Sequence, residues 1–212
     1  MSDPTSQRSF DYASSRQRTI YDRFAPRFDR FMQPLEERLL RQLRAQAVAC
    51  LPRAGRVLEI GAGTGANFDL YPREAMVAAS EPNGEMIALA RQKAKGKRID
   101  LVRSVAEMLP FADATFDGAL ATLVFCSVRS PQIAFAELKR VVKRGAPIVM
   151  VEHVRPEGWL GPVFDVVSLL TVPFFADHFN RRTAREAEKA GLNVRRIERR
   201  ARGIFQLIVC EA

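Results

Sequence analysis

One segment constrains the fold more than any other, and it reads RVLEIGAGTGANF from Arg56 to Phe68. Its short apolar run is followed at once by Gly61, Gly63 and Gly65. Glycines behind a buried strand let the backbone turn tightly and let a ligand approach it closely. The segment therefore predicts a Rossmann-like α/β fold with a nucleotide-like ligand over the loop. A helix is expected directly after the loop, with its N-terminus facing that ligand.

Beyond this segment, short apolar runs alternate with amphipathic segments. The runs predicted as strands are RVLEI, AMVAASE, IDLVRSV, FDGALATLVF, APIVMVEHV, LNVRRIERR and GIFQLIVCEA. Among the helices between them, one is expected to begin at the cap Ser130 and another to end at Gly191, while Gly203 is expected to form the last turn. The alternation predicts a doubly wound, mostly parallel seven-stranded sheet with helices on both faces.

The chain of 212 residues is expected to form one domain. Residues 1–9 are polar and are expected to be a disordered tail, which leaves the domain at 10–212. Apolar residues at three- and four-residue steps, with arginines between them, predict a helical cap over 10–50. An apolar insertion at 156–180 follows the fifth predicted strand.

The sequence also bears on the cellular compartment. It has neither the apolar core of a signal peptide nor a run of about 18 apolar residues, so we expect a cytoplasmic protein without a transmembrane helix. The three cysteines, Cys50, Cys126 and Cys210, show no CxxC spacing. An odd number of cysteines without this spacing disfavours a metal site or a disulfide framework and fits a reducing compartment.

Two ligands compete for the glycine loop. Gly61, Gly63 and Ala66 satisfy the dinucleotide pattern G-x-G-x-x-A, whereas Glu59 completes the pattern E-x-G-x-G-x-G of an S-adenosylmethionine loop. A carboxylate beside the loop repels pyrophosphate but suits the ammonium and sulfonium groups of S-adenosylmethionine. Glu81 ends the second predicted strand, where an acid can accept hydrogen bonds from ribose hydroxyls. The acids therefore favour S-adenosylmethionine.

Four ordered motifs resemble those of class I S-adenosylmethionine-dependent methyltransferases: VLEIGAGTGANF, SEPNGEMIALAR, AEMLPFADATFD and ELKRVVKRGAPIVMVEHV. The resemblance implies that the glycine loop binds the cofactor, that Glu81 binds the ribose, and that Pro82 and Met86 flank the adenine. The cofactor-binding residues that it implies are Tyr21, Glu59, Gly61, Ala62, Gly63, Gly65, Asn67, Glu81, Pro82, Met86, Val105, Ala106, Glu107 and Thr122.

One position departs from the family pattern. Many relatives place an Asp before Ala106, where it accepts a hydrogen bond from the adenine amino group, but this chain has Val105. We expect Ser104, Glu107 or a backbone carbonyl to take that role.

Tyr21 opens the segment YDRFAPRFD, which resembles a segment of small lipid and quinone methyltransferases. There the first tyrosine caps the cofactor site. The alternative is that Tyr21, Phe24 and Phe28 form only an apolar core stripe.

The acceptor is harder to predict, because methyl transfer from a sulfonium depends on positioning and water exclusion more than on a base. Its contacts are expected after the fourth and fifth strands and in the insertion, at the carboxyl edge of the sheet. The predicted substrate-binding residues are Phe125, Ser127, His153, Trp159 and His178. His153 is the candidate catalytic base, since histidine titrates near neutrality; a structural histidine is the alternative.

The net charge of +9 favours an anionic partner. Nucleic acid is disfavoured, because the chain lacks the NPPY-type tetrapeptide of many amino-group methyltransferases of nucleobases. The basic, aromatic N-terminal helix and the apolar insertion favour a lipophilic acceptor at an anionic membrane surface, with peripheral association. The alternative is that both segments pack on the sheet as an ordinary lid.

The segments LVFCSV, VEHV and GTGANF resemble bacterial phospholipid N-methyltransferases and the methyltransferase-like enzymes of small thiols. The thiol enzymes carry a hydrophobic N-terminal anchor, whereas this chain has an arginine-rich helix, so N-methylation of phosphatidylethanolamine is the preferred hypothesis. S-methylation of thiols and C-methylation of a quinone are the alternatives. A non-catalytic lipid- or nucleic-acid-binding module is the hypothesis from a different class.

Overall fold

The computed structural model describes residues 27–154 and 181–212. The strands in these residues are β1 (Gly55–Ile60), β2 (Ala75–Ser80), β3 (Ile99–Val102), β4 (Gly118–Thr122), β5 (Pro147–His153), β6 (Asn193–Arg200) and β7 (Phe205–Glu211). They form one sheet in the order β3-β2-β1-β4-β5-β7-β6. β1 to β5 are parallel, and β7 lies antiparallel between β5 and β6. The predicted doubly wound, mostly parallel seven-stranded sheet is confirmed.

The first helix, α1, covers 27–49 and is not uniform. It is α-helical over 27–35, π-helical over Glu36–Leu40 and α-helical again over Arg41–Ala49. In the π segment, the Arg41 N–H bonds to the Glu36 carbonyl, five residues earlier. A π segment adds one residue to a turn, so it sets the front of α1 in a different rotational register from its rear.

Three further helices are described: α2 (Gly84–Lys93), α3 (Pro131–Val141) and α4 (Thr183–Lys189). One apolar cluster joins Leu43 and Val48 of α1 to one face of the sheet. A second cluster joins Phe135 of α3 and Ala187 of α4 to the other face. Fully burying one leucine side chain contributes about 1.5–3 kcal/mol, so the rear half of α1 is firmly held on the sheet.

Two predicted boundaries are confirmed by backbone conformation. Gly191 follows α4 with φ of 83°, and Gly203, with φ of 86°, closes the short turn Ala201–Gly203 between β6 and β7. Both positions lie in the left-handed region that favours glycine.

The predicted cap of α3 is wrong in its mechanism. Ser130 occupies the N-cap position, but its side chain makes no capping hydrogen bond. Its backbone N–H instead donates to Glu107 Oε1 at 3.0 Å. The side-chain cap occurs at α2, where Asn83 Oδ1 accepts from the Met86 N–H at 3.0 Å.

The helix expected directly after the glycine loop is absent from the described residues. Residues 63–70 form successive turns, in which the Gly65 N–H bonds to the Ala62 carbonyl and the Phe68 N–H to the Gly65 carbonyl. The φ angles of Gly63 (55°) and Gly65 (81°) take the backbone out of the right-handed helix. The loop therefore lacks the positive helix pole that a pyrophosphate uses.

Several predictions on domain organisation lie outside the described residues: the tail at 1–9, the front of the cap at 10–50 and the insertion at 156–180. The rear of that cap is described, and it is helical. Within 27–154 and 181–212, no helix is both long and apolar enough to cross a membrane.

Candidate active site

The glycine loop lies at the carboxyl end of β1, and its glycines meet different constraints. A Cβ on Gly61 would lie 2.5 Å from the Val124 side chain, and a Cβ on Gly65 would lie 2.6 Å from the Phe68 ring. A Cβ on Gly63 would meet nothing within 4 Å. Gly61 and Gly65 are needed for close packing, whereas Gly63 borders open space in which a ligand can approach the backbone.

Glu81 follows β2 and is bonded to the glycine loop. Its Oε2 accepts from the Gly63 N–H at 3.0 Å, and its Oε1 accepts from the Asn83 N–H at 2.9 Å. Burial raises the pKa of Glu81, while these two backbone hydrogen bonds lower it. A carboxylate has about four acceptor sites, so two remain for a pair of ligand hydroxyls. The placement fits the ribose-binding role predicted for Glu81.

Glu59 lies beneath the loop. Its Oε1 accepts from Asn67 Nδ2 at 2.8 Å, and its Oε2 accepts from the Tyr71 hydroxyl at 2.7 Å. Burial raises the pKa of Glu59 to about 7, although these hydrogen bonds and the charge of Arg44 lower it. Both oxygens of Glu59 thus have partners within the chain, so a ligand above the loop would meet Glu59 indirectly, through Asn67.

Arg44, which sequence reasoning missed, completes this buried network. It reaches in from α1, where its Nη1 donates to Thr122 Oγ1 and to Asn67 Oδ1, the latter at 3.2 Å. Its Nε pairs with Glu36 at 2.9 Å. The available signal was an arginine on the apolar stripe of α1, one residue after the buried Leu43.

A second side chain of α1 contacts the glycine loop from outside. Asp29 Oδ1 accepts from Thr64 Oγ1 at 2.6 Å, and Asp29 Oδ2 pairs with Lys93 of α2 at 2.7 Å. Asp29 is the last residue of the segment YDRFAPRFD singled out in the sequence. α1 is therefore tied to the loop at two points, through Asp29 and through Arg44.

The predicted adenine side lies between β2 and β3. Met86, Val105 and Ala106 are buried there, and Pro82 accepts a hydrogen bond from Arg103 through its carbonyl oxygen. Apolar surroundings of this kind suit a flat aromatic base.

Two groups proposed to replace the missing adenine acceptor already have partners. Glu107 Oε1 accepts from the N–H groups of Arg129 and Ser130, and Ser104 Oγ bonds to Ser80 Oγ at 2.8 Å. Among the described residues, Glu107 Oε2 has no hydrogen-bond partner. That oxygen keeps Glu107 as a candidate for the adenine contact.

The segment after β4 is shaped by a buried carboxylate at the end of β5. Glu152 Oε1 accepts from the N–H groups of Val124 and Phe125 at 3.0 and 3.1 Å. Leu123, just before them, has φ of 58°. For a residue other than glycine, this conformation is strained and persists only where surrounding contacts fix it.

The predicted acceptor contacts differ in their surroundings. Phe125 is fully buried and stacks on Phe135 with ring centroids 4.2 Å apart, which gives it a packing role and argues against an acceptor contact. Ser127 is half-buried, and its hydroxyl donates to the Val124 carbonyl. His153 ends β5 and is buried close to the carboxyl edge of the sheet. Tyr21, Trp159 and His178 lie outside the described residues.

Comparison with known proteins supplies the family. Residues 58–150 match a family described as a methyltransferase domain. Over these residues the chain is similar to methyltransferase domains. A solved S-adenosylmethionine-dependent methyltransferase of Thermotoga maritima, a possible histamine N-methyltransferase, is 26% identical with a TM-score of 0.71. The alignment covers 91% of this chain and 98% of that one. At the level of this domain, the predicted family, enzyme class, fold and cofactor, S-adenosylmethionine, are confirmed.

Two curated relatives of the methyltransferase domain have different acceptors in their names. Phosphatidylethanolamine N-methyltransferase of Cereibacter sphaeroides is 35% identical over 52% of this chain and 57% of that protein. Thiol S-methyltransferase TMT1B of Rattus norvegicus is 34% identical over 63% of this chain and 58% of that protein. The chain thus spans less than two thirds of the length of these relatives.

Proposed function

We propose that this chain transfers a methyl group from S-adenosylmethionine to the amino headgroup of a phospholipid. The observation that carries methyl transfer is the arrangement of Glu81 and Gly63. The carboxylate is fixed by the loop N–H, and the space over Gly63 is open.

The site residues fit S-adenosylmethionine better than a dinucleotide. Glu59 and Glu81 are both buried beside the loop, where their negative potential suits a cationic ligand. The turns at 63–70 offer no helix pole for a phosphate. When bound, S-adenosylmethionine supplies an electrophilic methyl group on a sulfonium that leaves as a neutral thioether. The chain holds the ribose hydroxyls at Glu81 and excludes water with apolar walls.

The lipid acceptor is supported by the outer surface of α1. Phe31 is 69% exposed and Leu35 is 36% exposed. The exposed arginines beside them are Arg27, Arg30 and Arg38. Exposed apolar side chains interleaved with cations suit an anionic lipid interface. Since α1 also contacts the glycine loop, a membrane bound at this surface would lie close to the donor site.

The preference for a phospholipid over a thiol rests on the same surface. The relative that methylates phosphatidylethanolamine and the relative that methylates thiols match this chain at nearly equal identity. The arginines on α1 add an electrostatic attraction to anionic lipid, worth about 1 kcal/mol for each residue near the surface. Binding of a small soluble thiol would not depend on that attraction.

The acceptor is tested by giving the purified chain methyl-tritiated S-adenosylmethionine and three acceptors in separate reactions. These are vesicles of phosphatidylethanolamine with phosphatidylglycerol, a panel of small thiols, and a demethylated quinone. We expect label in a methylated headgroup. Label only in thiols or only in the quinone would replace the phospholipid with that acceptor. Binding of S-adenosylmethionine without transfer to any of them would instead support the non-catalytic hypothesis.

Membrane association is tested by vesicle sedimentation of the double variant Phe31→Ser, Leu35→Ser. Removing this apolar surface should lower binding to anionic vesicles at least about tenfold, and added salt should weaken wild-type binding. Ile133→Ser is the matched control, because Ile133 is 53% exposed on α3. Equal recovery of the wild type on neutral and anionic vesicles would contradict the membrane proposal.

A further inference from the structure

Arg44 has an unused hydrogen-bonding edge in a buried place. It is 8% exposed, its Nε pairs with Glu36, and its Nη1 serves Asn67 and Thr122. Within 27–154 and 181–212, its Nη2 donates no hydrogen bond. A guanidinium carries five N–H donors and cannot lose its charge in a protein, so the unused edge favours an anion beside it.

The sheet order indicates which part of the donor lies near this edge. Glu81 follows β2, and the buried apolar residues Val105 and Ala106 follow β3, so ribose and adenine belong on the β2–β3 side. β4 lies on the opposite side of β1, and Thr122 ends it. The remaining part of the donor, its methionyl group, therefore extends toward Thr122 and Arg44. This step rests on the proposed function.

The methionyl group carries a carboxylate, which needs a cation in this acidic site. Glu59 and Glu81 repel it, and Arg44 is the one buried arginine or lysine among the described residues. Lys93 is the nearest alternative at the loop, but its Nζ lies on the outside, paired with Asp29 at 2.7 Å. We propose that Arg44 binds the methionyl carboxylate of S-adenosylmethionine through Nη2.

The test compares S-adenosylmethionine with decarboxylated S-adenosylmethionine, which lacks only this carboxylate. Calorimetry on the purified full chain gives a dissociation constant for each. In the wild type we expect the intact donor to bind about tenfold to a hundredfold more tightly, the range of a charge-assisted hydrogen bond. In Arg44→Met the two constants should become nearly equal, whereas in the matched control Lys93→Met their ratio should stay at the wild-type value.

The ratio of the two dissociation constants, measured on the same variant, separates this role from a merely structural one. A partly destabilised variant would bind both ligands more weakly by the same factor, which leaves the ratio unchanged. A wild-type ratio retained in Arg44→Met, or a ratio lost in Lys93→Met, would overturn the proposal. If Arg44→Met does not fold, Arg44→Lys replaces it. A lysine keeps the charge without the forked edge, so its ratio should fall, and an unchanged ratio would overturn the proposal. Failure of the wild type to bind either compound would overturn the proposed function instead.

Discussion

At the predicted donor end of the site, the carboxylate of Glu81 is held by backbone N–H groups, and a Cβ on the neighbouring Gly63 would meet no protein atom within 4 Å. At the acceptor end, after β4, Phe125 is packed into the core and the Ser127 hydroxyl bonds within its own turn. The predicted donor contacts thus consist of backbone geometry and buried charge, which need particular residues. The predicted acceptor contacts are mostly apolar, and such residues resemble those of any core.

The largest effect should come from Phe125→Ala, which tests whether this residue belongs to the core or to the acceptor site. Loss of the ring stacked on Phe135 should lower the free energy of unfolding by about 3–5 kcal/mol in urea titrations. Ser127→Ala, two residues away, should cost about 1 kcal/mol at most. If Phe125→Ala were as stable as the wild type and had a raised KM for the acceptor, Phe125 would belong to the acceptor site and not to the core.

The next effect concerns the buried charge of Glu59 and appears as a pH dependence. Because its folded pKa is raised from 4.5 to about 7, Glu59 stabilises the fold fully below about pH 4.5 and loses this contribution as the pH rises to about 7. From about pH 4.5 to about pH 7, the free energy of unfolding of the wild type should fall, relative to that of Glu59→Gln, by on the order of 3 kcal/mol. Carboxyls common to both proteins cancel in this difference. Parallel stability curves from pH 4.5 to 8 would contradict it.

A smaller effect distinguishes the two carboxylates that each hold a pair of backbone N–H groups. Glu81→Gln should weaken S-adenosylmethionine binding by about 1.5–3 kcal/mol, because the amide loses the charge and one acceptor oxygen. Glu152→Gln, the matched change at the acceptor end, should leave donor affinity within about twofold. Calorimetry on both variants measures this. Equal losses of donor affinity in the two variants would mean that the donor and acceptor ends of the site are energetically coupled.

The smallest effect on stability is expected from Gly63→Ala. A left-handed alanine costs about 1–2 kcal/mol, and the added methyl group meets no protein atom. The same holds for Gly145→Ala, since Gly145 has φ of 75° and open space around its Cβ position. Both variants should lose similar stability in thermal unfolding, but only Gly63→Ala should weaken donor binding. Unchanged donor affinity in Gly63→Ala would show that the ligand does not approach this backbone.

The sequence allowed the sheet, its glycine loop and the position of Glu81 after β2 to be predicted, because each depends on residue types at fixed spacing. The helix expected after the loop was wrong, because the left-handed glycines at 63 and 65 divert the backbone into successive turns. Ser130 was correctly predicted as the N-cap residue of α3, but its side chain makes no capping hydrogen bond, and its backbone N–H is held by Glu107, which is distant in sequence. Such contacts depend on the tertiary fold.

Arg44 shows why the rest of the site could not be predicted. An arginine on a basic helix is ordinarily a solvated side chain, and its partners Asn67 and Thr122 lie far along the sequence. Only the packing of α1 on the sheet brings them together. Phe125 shows the reverse: its position after β4 suggested a contact with the acceptor, while the fold turns its ring toward α3.

The π-helical segment Glu36–Leu40 has a consequence for how this chain can evolve. One α-helical residue corresponds to about 100° of rotation, and the wider π turn absorbs about one extra residue. Deleting a single residue there would therefore restore α-helical geometry and leave the front of α1 facing nearly its present direction, so the Leu43 packing, the exposure of Phe31 and the Asp29–Thr64 contact would persist. The same deletion in an α-helical part of α1 would instead turn the front of the helix by about 100° relative to Leu43, so the π segment is the place in α1 where a change of length is best tolerated.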